Sequence, residues 1–248
     1  MMKKYINTFR YALKIPFNKQ HVAALEKGIL EEQKSPKRTD IINHLLSKFN
    51  RNTTYLEIGV RNPDANFNHI KAHKKYSVDP GLEFAENPVD FPLTSDAFFD
   101  QLSDGKVLDK AIKFDVVFID GLHLAEQVDR DITNALEYIQ DDGFIVLHDC
   151  NPPTSWHARE DYSDHLSPAR GQWSGSTWKA LMKYRTVSDL QSCCIDTDWG
   201  VGVISKTQKV GNSIETTNPF YEYTVLEKNR KELLNLISFE ELKQRIED

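Results

Sequence analysis

Two acidic residues that each close an apolar run are the first chemistry this sequence offers: Asp120 after FDVVFI and Asp149 after FIVLH. His123 follows Asp120 by three positions, His148 directly precedes Asp149, and Asn151 lies two beyond it. Carboxylate and amide oxygens suit a hard divalent cation, and an imidazole of ordinary pKa can take a proton near neutrality. For these groups to work together, the elements carrying them must deliver them to one place. FDVVFI has no alternating polar face and predicts a parallel strand buried on both sides. FIVLH repeats that pattern after the Asp-Asp-Gly of residues 141–143, which reads as a turn. Between the two runs, Val128, Ile132, Leu136 and Ile139 recur at helical spacing and predict a helix packed on the sheet. In a right-handed strand–helix–strand crossover both strands end at the same edge, where open α/β sheets bind ligands. Asp120, His123, His148, Asp149 and Asn151 therefore converge on one rim.

The rest of the chain is read around that rim. Its 248 residues suffice for one α/β domain with additions. A net charge of −6 argues against a general nucleic-acid binder. The basic cluster Lys34–Arg38 reads as solvated surface rather than a binding patch. No apolar run approaches the roughly 20 residues that cross a bilayer, and the N-terminal MMKKYINTFRYALKIPF lacks the pattern of a secretory signal, though a surface-seeking amphipathic helix fits it. Three cysteines, two of them adjacent, make no disulfide or zinc framework, which points to a reducing, cytoplasmic setting.

Residues 1–51 read as a helical addition, with Ile41, Ile42, Leu45, Leu46 and Phe49 as the apolar stripe of a helix starting near Thr39-Asp40. TYLEIG and KKYSVDP read as the first two strands. FPLTSDAFFDQL predicts a brief third strand and a short helix capped by Ser95 or Asp96. Residues 150–177 hold prolines, tryptophans and histidines without a period and read as a lid or substrate loop. Trp156, Trp173 and Trp178 are expected to pack there. His148 is expected to be a buried histidine bonded to a backbone carbonyl, and Cys150 carries no sign of an activated thiolate. CCIDTD and VGVIS read as two closing strands that complete a core over 52–205, followed by a charged helical tail over 206–248.

YLEIG, VDP, FDVVFIDGLH and FIVLHDCNPP together resemble class I S-adenosylmethionine-dependent methyltransferases, in particular the branch of metal-dependent O-methyltransferases of sugars and catechols. That resemblance, over about 52–205, implies a Rossmann-like, doubly wound, seven-stranded α/β sheet, mostly parallel with an antiparallel last strand. It implies that Glu57 and Gly59 meet the methionine part of the cofactor, that Asp79 accepts its ribose hydroxyls, and that Ser95 and Asp96 lie near adenine. It places Asp120 and Asp149 as ligands of a divalent cation such as Mg2+, with Asn151 or His148 supplementing them. His123, in an Asp-x-x-His arrangement, becomes the general base. One departure stands out: after Gly59 the chain runs VRNPDANF, without the family's later glycine.

The expected function is thus S-adenosylmethionine-dependent O-methyl transfer to a small hydroxylated acceptor, a sugar among the candidates. Nucleic acid and a transmembrane segment are not expected, and both helical ends could support a homo-oligomer. Two rivals keep the fold: a metal-dependent hydroxylase-like enzyme, which needs an iron-binding His/Asp set, and a non-catalytic binding protein.

Overall fold

The computed structural model describes residues 6, 9, 10, 12–83 and 86–247. The rest of the expected N-terminal amphipathic helix lies outside these residues. The chain alternates strands and helices into one seven-stranded sheet of order β2-β1-β3-β4-β6-β5-β7. The strands are β1 (Thr54–Ile58), β2 (Lys74–Val78), β3 (Phe114–Ile119), β4 (Ile139–Leu147), β5 (Gln191–Ile195), β6 (Val201–Ser205) and β7 (Leu236–Ile237). β2, β1, β3 and β4 pair in parallel, and β6 runs antiparallel between β4 and β5. Every residue of β3 is buried, as expected of a central strand, including Asp115, whose carboxylate is met by Arg51 at 2.6 Å and by Thr54 N–H at 2.7 Å.

Helices cover both faces. They are α1 (Lys19–Gln33), α2 (Arg38–Ser47), α3 (Ser95–Ser103), α4 (Ala125–Tyr138), α5 (Thr177–Arg185), α6 (Tyr223–Leu233) and α7 (Phe239–Glu247). Alternate residues of each strand feed opposite cores. Leu56, Ile58, Val117 and Ile119 pack with Phe98 of α3, Ile132 of α4, Leu181 of α5 and Leu226 of α6. Tyr55, Val116, Phe118 and Val146 pack with Ile41, Ile42 and Leu45 of α2 and Leu242 of α7. The stripe read in the N-terminal addition is thus part of the main core.

Several local expectations change. The brief third strand reduces to a single parallel bridge between Phe91 and Val78. Asp90 takes over from a ladder there, its carboxylate accepting from the backbone N–H of Ser77 at 2.9 Å and from its hydroxyl at 2.8 Å. The cap of α3 is Thr94, whose hydroxyl accepts from the N–H of Ala97, so Ser95 and Asp96 lie inside the helix. β4 starts at Ile139 and runs straight through Asp141, Asp142 and Gly143, with a register shift against β3 where a turn was expected. The tail is not all helical, since Leu236 and Ile237 pair with β5 and supply the seventh strand.

Residues 150–176 contain no helix or strand, and Arg159 organises them. Its guanidinium donates to the carbonyls of Trp156, Arg170 and Gln172 at 2.7–2.8 Å. Helix α1 rests on this segment, with Gln172 Nε2 donating to Glu32 at 2.7 Å. The three cysteines are buried and unpaired, and burial pushes the Cys150 thiol up, away from the thiolate. No helix among the described residues is long and apolar enough to cross a membrane.

Candidate active site

Each residue that follows a central parallel strand is tied to the end of its neighbour. Gly59 donates its N–H to Val78 O at 2.9 Å, Asp120 to Ile58 O at 2.9 Å, and His148 to Ile119 O at 3.2 Å. The ladder therefore continues past the strand ends and fixes the rim. Asp149 then turns back with a left-handed backbone, φ +60°. That sparsely populated conformation is held by its neighbours: Cys150 N–H donates to Gly200 O at 2.9 Å and Asn151 N–H to Trp199 O at 2.8 Å.

Asp120, His123 and Asp149 each present one ligand atom, all within 4.8 Å of one another. His123 Nε2 lies 3.3 Å from Asp120 Oδ1, and its Nδ1 lies 3.3 Å from Asp149 Oδ2. His148 is buried, as expected, but its partners are charged side chains. Nδ1 sits 3.2 Å from Asp120 and 3.1 Å from Asp149, while Nε2 faces Arg38 at 3.2 Å and Asp198 at 3.5 Å. Burial alone would lower the pKa of both histidines, but the carboxylates outweigh it. Asp149 and Asp120 raise His123 to about 9, and His148 also rises. Against the opposing effect of burial, His148, His123 and Arg38 hold Asp120 well below the usual carboxylate range. The irregular segment 150–176 packs on this cluster. Trp173 stacks on His123 with ring centroids 5.0 Å apart and planes at 20°, and Ser176 N–H donates to His123 O at 2.8 Å. Asn151 does not join the cluster: its side chain donates to Asp196 at 3.2 Å and accepts from Arg230 of α6.

A second cleft of about 300 Å³ lies beside the cluster, lined by Gly59, Asp79, Gly81, Asn87, Ser95 and Asp131 among others. Asp79 lies at its wall, one oxygen accepting from Gly81 N–H at 2.7 Å. Asp96 turns away to Arg130 at 3.3 Å. Glu57 instead lines the polar pocket that holds Arg38, Asn66, Asp120, His123 and Asp149. Its carboxylate accepts from Tyr55 OH at 2.6 Å and Asn66 Nδ2 at 2.9 Å, and burial raises it to about 7. Gly59 and Asp120 line both spaces. A Cβ on Gly59, whose φ is +92°, would come within 2.4 Å of the Asp120 backbone, so only glycine permits this junction. The absent later glycine is replaced by a turn at Asn62-Pro63, where the Asn62 side chain accepts from Asp64 N–H at 3.1 Å.

Three residues at the site escaped the sequence reading. Arg38, read as solvated surface, reaches within 3.7 Å of Asp120 and 3.2 Å of Asp198. Only long-range packing of α2 brings it there. Asp131 had a readable signal, because it lies on the same helical stripe as Val128, Ile132 and Ala135, a buried position for a charge.

Burial, partly offset by hydrogen bonds from Ser95 and Gln127, raises Asp131 from 3.8 to about 6. Between those values the folded chain keeps a proton that the unfolded chain has lost, so stability falls as pH rises through the window. Asp131→Asn keeps an acceptor oxygen and removes the charge. It is expected to stabilise the protein by about 1–3 kcal/mol at pH near 7.5 and by much less near pH 4. Urea unfolding at both pH values checks this, and an equal effect at both would overturn it.

Strand order and rim together define the class of fold: a Rossmann-like, doubly wound α/β sheet. Residues 41–150, from within α2 to Cys150, match a family described as a methyltransferase domain. Among solved structures, a Corynebacterium glutamicum protein is 16% identical, with 85% of this chain and 99% of that one covered and a TM-score of 0.43. An O-methyltransferase from Bacillus cereus in complex with SAH is 12% identical, with 83% and 100% covered and a TM-score of 0.42. The MycE methyltransferase of the mycinamycin biosynthetic pathway, in complex with Mg and SAH, is 13% identical, with 79% of this chain and 60% of MycE covered and a TM-score of 0.43. No curated protein matches the sequence.

Proposed function

We propose that this protein is an S-adenosylmethionine-dependent O-methyltransferase that acts on a small hydroxylated acceptor with the help of a divalent cation, magnesium in the first instance. The observation that carries the reading is the shared wall. Gly59 and Asp120 line both a cleft of small-molecule size and the pocket of the Asp120–His123–Asp149 cluster. A methyl donor in the first space and a hydroxyl in the second would meet there. The methyltransferase domain match over 41–150 supports the same reading.

The residues fit both groups. Asp79 is positioned to accept ribose hydroxyls, Gly59 offers bare backbone, and Ser95 lines the far side of the cleft. Asp120, half-buried, and Asp149, buried, are carboxylates that suit a hard cation. The cofactor supplies an activated methyl group. The cation supplies a positive charge that lowers the pKa of an acceptor hydroxyl. The chain's own part is orientation and proton transfer, the main needs of a displacement without a covalent enzyme intermediate. Against burial, Asp149 and Asp120 raise His123 to about 9, so its ring is neutral and able to accept the proton of the acceptor hydroxyl only with those carboxylates neutralised by a cation. Trp173 above the ring and Ser176 at its carbonyl hold it in place. Arg38, Asn62 and Asn66 give the acceptor pocket a polar wall, which favours a polyhydroxylated acceptor such as a sugar. Glu57 lines the polar pocket beside Gly59, at the junction where the methionine part of the cofactor would lie. Asp96 and Asn151, engaged by Arg130 and Arg230, are left out of the site. The cluster's single histidine and two carboxylates differ from the two-histidine, one-carboxylate set of iron hydroxylases.

Calorimetric titration with S-adenosylmethionine and S-adenosylhomocysteine, with and without magnesium, tests the reading. Binding is expected, weakened about 10–100-fold in Asp79→Ala by loss of a charged hydrogen-bond acceptor. No binding by a folded sample under either condition would sink the proposal.

A further inference from the structure

We propose a second ligand site, a phosphate-ester site, in the cleft walled by Arg185, Lys209, Lys231 and Arg245. It lies at the opposite edge of the sheet from the candidate active site. β4 ends at the catalytic rim with Leu147 paired to Gly202 of β6, and β6 runs away from that rim to Ser205, which pairs with Gln191 at the start of β5. Gln191 and Arg185, the last residue of α5, line the cleft.

Arg185 carries the argument. It is 2% exposed, yet no carboxylate pairs with it among the described residues. Its Nε donates to Leu233 O at 3.4 Å, and its Nη1 to Ser192 O at 2.7 Å and Asn212 O at 2.6 Å. Its Nη2 has no partner among the described residues, and the side chain lines the cleft. A buried guanidinium held only by carbonyls and the Ser192 hydroxyl, at 3.3 Å, keeps its whole positive charge, a costly arrangement unless an anion arrives to meet it. Arg245 stands nearby, its Nη1 donating to Val210 O at 2.6 Å, and burial together with its charge works against the protonated form of Arg185. Lys209 and Lys231 are exposed at the mouth and form no ion pair among the described residues. Four cationic side chains thus line the cleft with one carboxylate, Glu232, and of the four Arg245 is paired with Glu241 at 2.7 Å behind it.

The backbone adds donors. The N–H groups of Gly211, Asn212 and Ser213 reach no protein acceptor among the described residues, and all three residues line the cleft. Free amides beside a guanidinium add donors for an anion. The cleft measures about 710 Å³, space for a phosphorylated small molecule rather than a bare ion. Fork-shaped guanidinium donors match phosphate oxygens better than they match a single halide.

Calorimetry of the full chain with inorganic pyrophosphate, at constant ionic strength, tests the site without any assumption about methyl transfer. Saturable binding is expected, weakened about tenfold or more by the double substitution Lys209→Ala with Lys231→Ala. Both lysines are exposed and hold no structural partner, so that variant folds. Arg185→Met removes three carbonyl contacts and can fail to fold, so Arg245→Gln serves as the second variant, with a smaller loss of affinity. No saturable binding, or equal affinity in the double variant, would overturn the proposal.

Discussion

Replacing His123 by alanine is expected to lower methyl transfer by about 10²–10⁴-fold, the range for removing a positioned general base, while leaving cofactor affinity unchanged. The split follows from where the ring sits. His123 lines the polar pocket and is absent from the wall of the cleft that holds Asp79. Its ring is fixed on three sides, by Asp120 and Asp149 at 3.3 Å each and by Trp173 stacked at 5.0 Å. Loss of the ring leaves Trp173 without its platform, so a thermal melt must accompany the assay to separate unfolding from lost chemistry. His123→Gln keeps much of the volume and removes the base, and it should be equally slow. Single-turnover rates on an acceptor found by screening hydroxylated compounds provide the measurement. A rate within about threefold of the parent enzyme, in a folded variant, would remove His123 from the mechanism.

Asp149→Asn should lower magnesium-stimulated turnover by about 100-fold or more, beyond the 10–100-fold typical of losing a residue that only supports a metal ligand. Asparagine is the better test than alanine because Asp149 sits at φ +60°. Asparagine tolerates the left-handed region nearly as well as aspartate, whereas alanine adds about 1–2 kcal/mol of strain. The variant keeps the shape of the turn and the backbone bonds of Cys150 and Asn151 to Gly200 and Trp199. What it loses is one of the two negative charges that face His148 and His123. S-adenosylmethionine affinity should persist, since Asp149 does not line that cleft. An unchanged magnesium dependence would show that the cluster holds no cation during turnover.

The parts of this architecture written in short-range pattern were legible. β3 announced itself because, Asp115 apart, it is apolar on both faces as a doubly buried strand must be, and its end located Asp120. The helix between β3 and β4 was legible from its stripe, and the crossover rule then brought Asp149 to the same rim as Asp120. Features set by tertiary contact were not. Phe91 makes one bridge where a strand was expected, and Leu236-Ile237 pair with β5 inside what reads as helix, because two residues carry no periodicity. Arg38 and Asp198 pair at 3.2 Å across most of the chain, and no local pattern encodes that distance. His148 reads as an ordinary buried histidine until the loop holding Asp198 folds over it.

The margins of the sheet have a consequence for how copies of this chain can meet. β2 is an outermost strand, and an exposed strand edge invites a foreign strand to add to it. Here the segment carrying Asp90 and Phe91 has already taken the places such a visitor would use. Phe91 N–H donates to Ser77 O at 3.0 Å, Asp79 N–H donates to Phe91 O at 3.2 Å, and the Asp90 carboxylate accepts from Ser77 N–H. Lys74 and Lys75 add charge at the strand's start. At the other margin β7 is only two residues long. Growth by sheet extension is therefore blocked at one border and starved at the other, which protects a chain with so apolar a centre against fibrillar stacking and leaves its helical surfaces as the ground for ordered pairing.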